Sequence, residues 1–172
     1  MSLLELITLN FAVTAALTFL VWLGSVKLRD VSIVDVFWGP GFVVIAWISF
    51  FLTDEITGRK VLLVLLTSAW GLRLSVYLAS RKFGTPEDYR YRAMRESIGK
   101  RFWLVSLFMV FWLQGVIMIV VALPVMAGQL DRSPLTGWAA LGLGLWTVGL
   151  LFETIGDYQL ARFKSQQINR GR

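Results

Sequence analysis

Asp35, Arg73, Glu153 and Asp157 stand inside or at the edge of long apolar runs. A charge against lipid is expensive, so each is expected to face protein or water and to find an opposite charge. The chain contains no Cys and no His. That excludes disulfides, thiolate nucleophiles, the usual zinc ligands and Ser-His-Asp chemistry, and no metal site is expected. Acid-base work is left to carboxylates, Tyr, Lys, a cofactor or water. The densest grouping of such residues lies in Gly149 to Lys164, Gly-Leu-Leu-Phe-Glu-Thr-Ile-Gly-Asp-Tyr-Gln-Leu-Ala-Arg-Phe-Lys, where an apolar helix turns polar with no break signal. At about 100° per residue, Gly142, Gly149, Glu153, Gly156, Asp157, Leu160 and Lys164 share one side of a continuous helix. Small residues there let a helix or ligand come close, which makes that side a candidate binding surface.

The elements that hold these residues follow from composition. With 56% hydrophobic residues in 172 and a mean hydropathy of +0.67, the chain is too apolar for a soluble domain and reads as an all-α polytopic membrane protein. Apolar runs cover Leu3 to Leu23, Val34 to Leu52, Val61 to Ser80 and Phe102 to Val125, and a last one leads from Leu135 into the Gly149 to Lys164 stretch. About five spans in one transmembrane domain, residues 1–172, are expected. The first reads as a retained anchor, because Glu5 stands where a signal peptide carries positive charge. Lys27, Arg29, Arg81, Lys82, Arg90, Arg92, Arg95, Lys100, Arg101, Arg162, Lys164, Arg170 and Arg172 fall on one side of this topology, against Arg59, Lys60 and Arg132 on the other. The positive-inside rule then predicts N-terminus out and C-terminus in. The pI near 10.1 is therefore loop charge beside a membrane, and nucleic acid is not an expected partner.

This topology places Asp35, Arg73, Glu153 and Asp157 at similar depths, with Arg73 about 10 Å above the cytoplasmic end of its span. Together they suit one polar pocket open to the cytoplasm, with Gln114 deeper. Each also has a plainer reading. Arg73 suits a snorkelling side chain. Asp35 suits a helix-start acid that complements the macrodipole, although Phe37, Trp38, Gly39 and Pro40 beside it resemble a pocket wall. Gly39, Pro40 and Gly41 are expected to kink or briefly unwind their helix, freeing backbone groups that are tolerated mainly beside a cavity. The run Glu87-Asp88-Tyr89-Arg90-Tyr91-Arg92 reads most simply as a solvated loop, while aromatics interleaved with Arg equally suit a planar, phosphorylated ligand. Trp residues are mostly interfacial anchors, and Trp70, three residues before Arg73, is the one singled out as a pocket residue. Gly142-Leu-Gly144 is helix packing and not a dinucleotide fingerprint, since the third Gly is misplaced and no strand precedes it.

Four stretches together resemble the steroid 5-alpha-reductase-like family, and more nearly its bacterial branch, known as a domain of unknown function. They are Ser32-Ile-Val-Asp-Val-Phe-Trp-Gly, Trp70-Gly-Leu-Arg-Leu, Glu87-Asp-Tyr-Arg-Tyr and Glu153-Thr-Ile-Gly-Asp-Tyr-Gln-Leu-Ala-Arg-Phe-Lys. The resemblance covers nearly the whole chain in order. It implies a multi-helix membrane reductase, in a bacterial inner membrane, that uses NADPH to reduce a carbon-carbon double bond conjugated to a ketone. Membrane lipid and a hydrophobic small-molecule substrate are the implied partners. By similarity, Glu153, Asp157 and Lys164 match positions that hold the nucleotide, with Glu153 standing where animal enzymes carry Asn. Arg73, Tyr91 and Arg92 are further candidates for cofactor contact. Asp35 matches the acid that polarises the ketone, and Trp70 falls where relatives carry a Tyr that reaches it.

Relatives continue beyond the position of Gly171 with a Gly-Leu-Trp segment, an Arg-His-Pro-Asn-Tyr type motif and further helices. The resemblance therefore implies that these 172 residues alone bind NADPH weakly or not at all and are not an active reductase. A membrane methyltransferase of the isoprenylcysteine type is similar in architecture and is the second enzyme reading. A third is a membrane interaction protein in which Asp35, Arg73 and Glu153 form only an interhelical polar lock.

Overall fold

The computed structural model describes residues 1–82 and 84–165, so Arg170 and Arg172 of the charge pattern lie outside the described residues. All regular structure among the described residues is helical. Five helices among the described residues are long and apolar enough to cross a membrane, which makes this an integral membrane protein of the all-α class. The chain falls into two units, Met1–Ser133 and Pro134–Arg172.

In the first unit, α1 (Leu3–Leu28) starts at a capping box between Ser2 and Glu5. Its buried positions are Leu6, Asn10, Thr14, Thr18, Trp22 and Ser25, while Leu4, Phe11, Leu20 and Leu28 face outward. Polar and small residues turned toward protein, with Leu and Phe toward the outside, is the pattern lipid demands, because lipid tails solvate Leu as well as a core does. The helix ends at Arg29, whose φ of 54° is left-handed, with Asp30 N–H donating to Ser25 C=O and Arg29 N–H to Val26 C=O. This Schellman closure satisfies the last carbonyls and turns the chain directly into α2 (Ile33–Leu52).

Helix α2 runs unbroken through Gly39, Pro40 and Gly41, so the expected unwinding does not occur. Pro40 lacks an N–H and so cannot bond the Val36 carbonyl. Ser75 of α3 (Gly58–Lys82) donates its hydroxyl to that carbonyl at 3.0 Å, which repairs the loss from the neighbouring helix. The glycines serve proximity: a Cβ on Gly39 would stand 1.9 Å from the Gly71 carbonyl oxygen. Helices α2 and α3 therefore cross backbone to backbone at Gly39 and Gly71.

The Glu87 to Arg92 run is not simply a solvated loop, since its last four residues open a helix. Asp88 caps α4 (Tyr89–Ile98), accepting the Arg90 N–H at 2.9 Å, and Gly99 ends it at a positive φ of 69°. A short 3-10 turn (Gly99–Arg101) leads into the fourth span, made of α5 (Phe102–Ser106), a π-helical segment (Leu107–Trp112) and α6 (Leu113–Leu130). One core cluster joins Trp22, Val34, Tyr91, Phe102 and Phe111, and another joins Leu6, Phe42, Ile45, Met118 and Met126. The second unit contains α7 (Gly137–Ser165), an unbroken helix through the Gly149 to Lys164 stretch.

Candidate functional site

The turn between α1 and α2 holds the site together. Glu87 Oε1 accepts the Val31 N–H at 2.9 Å, and Ser32 Oγ accepts the Asp88 N–H at 2.7 Å. Arg95 clasps Glu87 with two bonds, at 2.7 and 3.0 Å, and stacks over Phe102 at 4.7 Å. Burial works to raise the Glu87 carboxyl, but the Arg95 bonds and the Val31 amide outweigh it and hold it below the ordinary carboxylate value. Asp30 follows the same logic: burial raises it, while Lys82, at 2.6 Å, and Ser32 bring it down overall. Asp88 is held low first by its Arg90 hydrogen bond. These links fix α4 against the start of α2.

Docked this way, α4 delivers Tyr91 to Asp35. Tyr91 is 7% exposed, and its hydroxyl donates to Asp35 Oδ1 at 2.8 Å. Gln114 Nε2, on α6, donates to the Tyr91 oxygen at 3.4 Å. Trp38 Nε1, on α2, donates to Gln114 Oε1 at 2.6 Å. Arg90 reaches Asp35 Oδ2 at 3.5 Å while holding Asp88 more closely at 3.0 Å. Asp35 is thus the end of a hydrogen-bonded chain contributed by three helices. It also sits in the first turn of α2, where an acid complements the macrodipole.

Asp35 lines a polar cavity of about 300 Å³ together with Ser32, Arg81, Lys82, Asp88 and Arg90. Val36, Lys82 and Thr85 are shared with an apolar groove of about 530 Å³, lined by Val21 and Leu28 of α1, Ile33, Phe37 and Pro40 of α2, and Ala79 of α3. A carboxyl lining a charged cavity that adjoins an apolar groove suits an amphiphilic ligand.

The residues singled out from the sequence separate as follows. Asp35 and Tyr91 are brought together, so Tyr91 serves the carboxyl. Arg92 donates to the Glu87 carbonyl at 2.9 Å. Trp70 packs edge-on against Phe42, which in turn meets Trp38, so its ring belongs to the aromatic cluster behind the chain. Arg73 lies on α3 two residues after the Gly71 crossing. Glu153, Asp157 and Lys164 lie on α7, in the second unit. The chain from Tyr91 through Gln114 to Trp38 was not legible as a unit, since Trp38 and Gln114 are 76 residues apart and no local spacing links them.

No curated protein and no solved structure matches the chain. A family model described as "Protein of unknown function (DUF1295)" matches residues 21–172. That match takes in the end of α1, the turn and α4 that position Asp35, the Gln114 helix and α7, and on it the chain belongs to the DUF1295 family of proteins of unknown function.

Proposed function

We propose that the protein is a reductase of a bacterial inner membrane, using NADPH to saturate a carbon-carbon double bond conjugated to a ketone in a lipid or steroid-like molecule. The observation that carries this reading is Asp35, held by Tyr91 and lining a polar cavity that adjoins an apolar groove. The four motifs that resemble steroid 5-alpha-reductase-like proteins support it. The groove, walled by residues of three spans, suits the hydrocarbon body of a substrate dissolved in the bilayer. Negative charge grows on the substrate carbonyl oxygen during reduction, and a protonated Asp35 transfers its proton there; the enol so formed takes a proton from water at its α-carbon and gives the oxygen's proton back to Asp35, leaving the saturated ketone. Between the two transfers Tyr91 steadies the carboxylate.

The residues of the first unit fit a phosphate-bearing part of the cofactor. Arg81, Lys82 and Arg90 line the polar cavity and offer charged donors, whereas Tyr91, committed to Asp35 and Gln114, does not fit a cofactor contact. When bound, NADPH supplies the hydride. Arg73 and Arg92 are proposed as further cofactor contacts of the first unit, and by the resemblance alone Glu153, Asp157 and Lys164 are proposed as nucleotide-binding positions on α7.

The test is NADPH oxidation with a hydrophobic cyclic enone in nanodiscs, run on this chain and on the chain extended by the C-terminal segment of a family relative. Asp35→Asn is expected to lower kcat by about 10²- to 10³-fold with NADPH affinity unchanged. Failure of both forms to bind NADPH, with binding of S-adenosylmethionine instead, would move the assignment to a methyltransferase. Equal destabilisation by Asp35→Asn with and without nucleotide, and no loss of turnover, would leave Asp35 a structural role and no catalytic one.

A further inference from the structure

The hydrogen bonds around Asp35 run in one direction only, and the residue that sets the direction is not hydrogen-bonded to it. An indole N–H can only donate. Trp38 therefore requires an acceptor, and at 2.6 Å it takes Gln114 Oε1. The same amide must then present its nitrogen to Tyr91, as it does at 3.4 Å. A phenol can donate or accept, but with its oxygen already receiving the Gln114 N–H it turns its own proton to Asp35 Oδ1. Were Trp38 unable to donate, the amide could rotate and offer Tyr91 a carbonyl oxygen, drawing the phenolic proton away from the carboxyl.

We propose that Trp38 and Gln114 are positioning residues that lock the Tyr91 proton onto Asp35 Oδ1 and so make Oδ2 the oxygen that carries the acid proton toward a ligand. An oxygen already accepting a strong hydrogen bond is the poorer place for a proton, which leaves Oδ2, the oxygen nearer Arg90. The Arg90 contact there is long at 3.5 Å, and Arg90 holds Asp88 more tightly, so a ligand carbonyl can displace it. The proton passes from Asp35 Oδ2 to the ligand's carbonyl oxygen, and the carboxylate formed keeps the Tyr91 bond. The ligand carbonyl, the proton transfer to it and the kinetic consequence rest on the reductase reading. The polarity of the chain stands on the hydrogen bonds alone.

The experiment isolates the Asp35 carboxyl band by infrared difference against Asp35→Asn, using the full chain in nanodiscs. Tyr91→Phe should shift that band by removing its donor. Trp38→Phe and Gln114→Glu should shift it the same way, although neither residue is hydrogen-bonded to Asp35. Gln114→Glu keeps an acceptor for Trp38 while removing the donor to Tyr91, so it separates direction from packing. Phe42→Leu, which disturbs the ring packed on Trp38 at 5.8 Å, should leave the band in place. Where turnover is measurable, Trp38→Phe should lower kcat about tenfold with KM unchanged. An unmoved band in folded Trp38→Phe and Gln114→Glu, or an equal shift in Phe42→Leu, would overturn the proposal. Absence of reductase activity with the expected band shifts would instead count against the reductase reading and leave the relay standing.

Discussion

Glu87 shows how much of the site depends on single side chains that touch no ligand cavity. Its side chain is 11% exposed, and it satisfies both Arg95 and the amide of Val31. Glu87→Gln is expected to cost about 2 kcal/mol, the worth of a charge-assisted hydrogen bond in a partly covered place. Denaturant melts in detergent would read that loss. Its folded carboxyl titrates below the ordinary 4.5, so its stabilisation is complete above that pH. As pH falls below 4.5 the unfolded chain takes up its proton first, and the contribution disappears as pH passes through the lower folded value. Glu87→Gln should therefore flatten the acid limb of the stability profile while lowering the plateau at neutral pH. The sequence could show Glu87 only as one charge in a mixed run. Its partners are eight residues away in Arg95, which is no neighbour spacing for a pair that straddles a helix start, and 56 residues away in Val31.

At the scale of the element, apolar length and charge placement were enough to mark the spans, because lipid enforces both. The use made of glycine was not legible. Gly39-Pro40-Gly41 reads locally as a break, yet the helix continues because Ser75 meets the carbonyl that Pro40 frees and Gly71 supplies a second surface without a side chain. Both partners are on another helix, and nothing in the local sequence announces them. Gly39→Ala should be among the most damaging single methyl additions in the chain, since its Cβ would meet the backbone of Gly71, which cannot turn aside. The expected loss is about 3 kcal/mol, at the upper end for overpacking. Gly24→Ala is the matched control: its Cβ would meet only Ile33 Cδ1 at 3.7 Å, an ordinary contact. It should be neutral or stabilising by up to about 1 kcal/mol through helix propensity. Thermal melts of the two variants in one detergent compare them directly, and equal melting temperatures would mean the crossing is not close in the membrane.

For the whole molecule, the ends of the Met1–Ser133 bundle differ in chemistry as well as in charge. One end carries the α1 to α2 turn, α4, Arg81, Lys82 and the Asp35 cavity. The other carries Asp54, Glu55 and Asp131, paired with Arg132 and Arg59 at 3.0 to 3.8 Å. Because Lys and Arg resist translocation, the end rich in unmatched cations should remain on the cytoplasmic side. A cytoplasmic opening is also what a site drawing on a soluble nucleotide requires, so orientation bears on function. The absence of native Cys makes the test clean. A single cysteine at Ser97→Cys, at the exposed end of α4, should resist a membrane-impermeant maleimide in intact cells and react after permeabilisation. A single cysteine at Glu55→Cys, exposed at the opposite end, should react in intact cells. The reverse pattern would turn the Asp35 cavity away from the cytoplasm, and with it the supply of NADPH on which the proposed reaction depends.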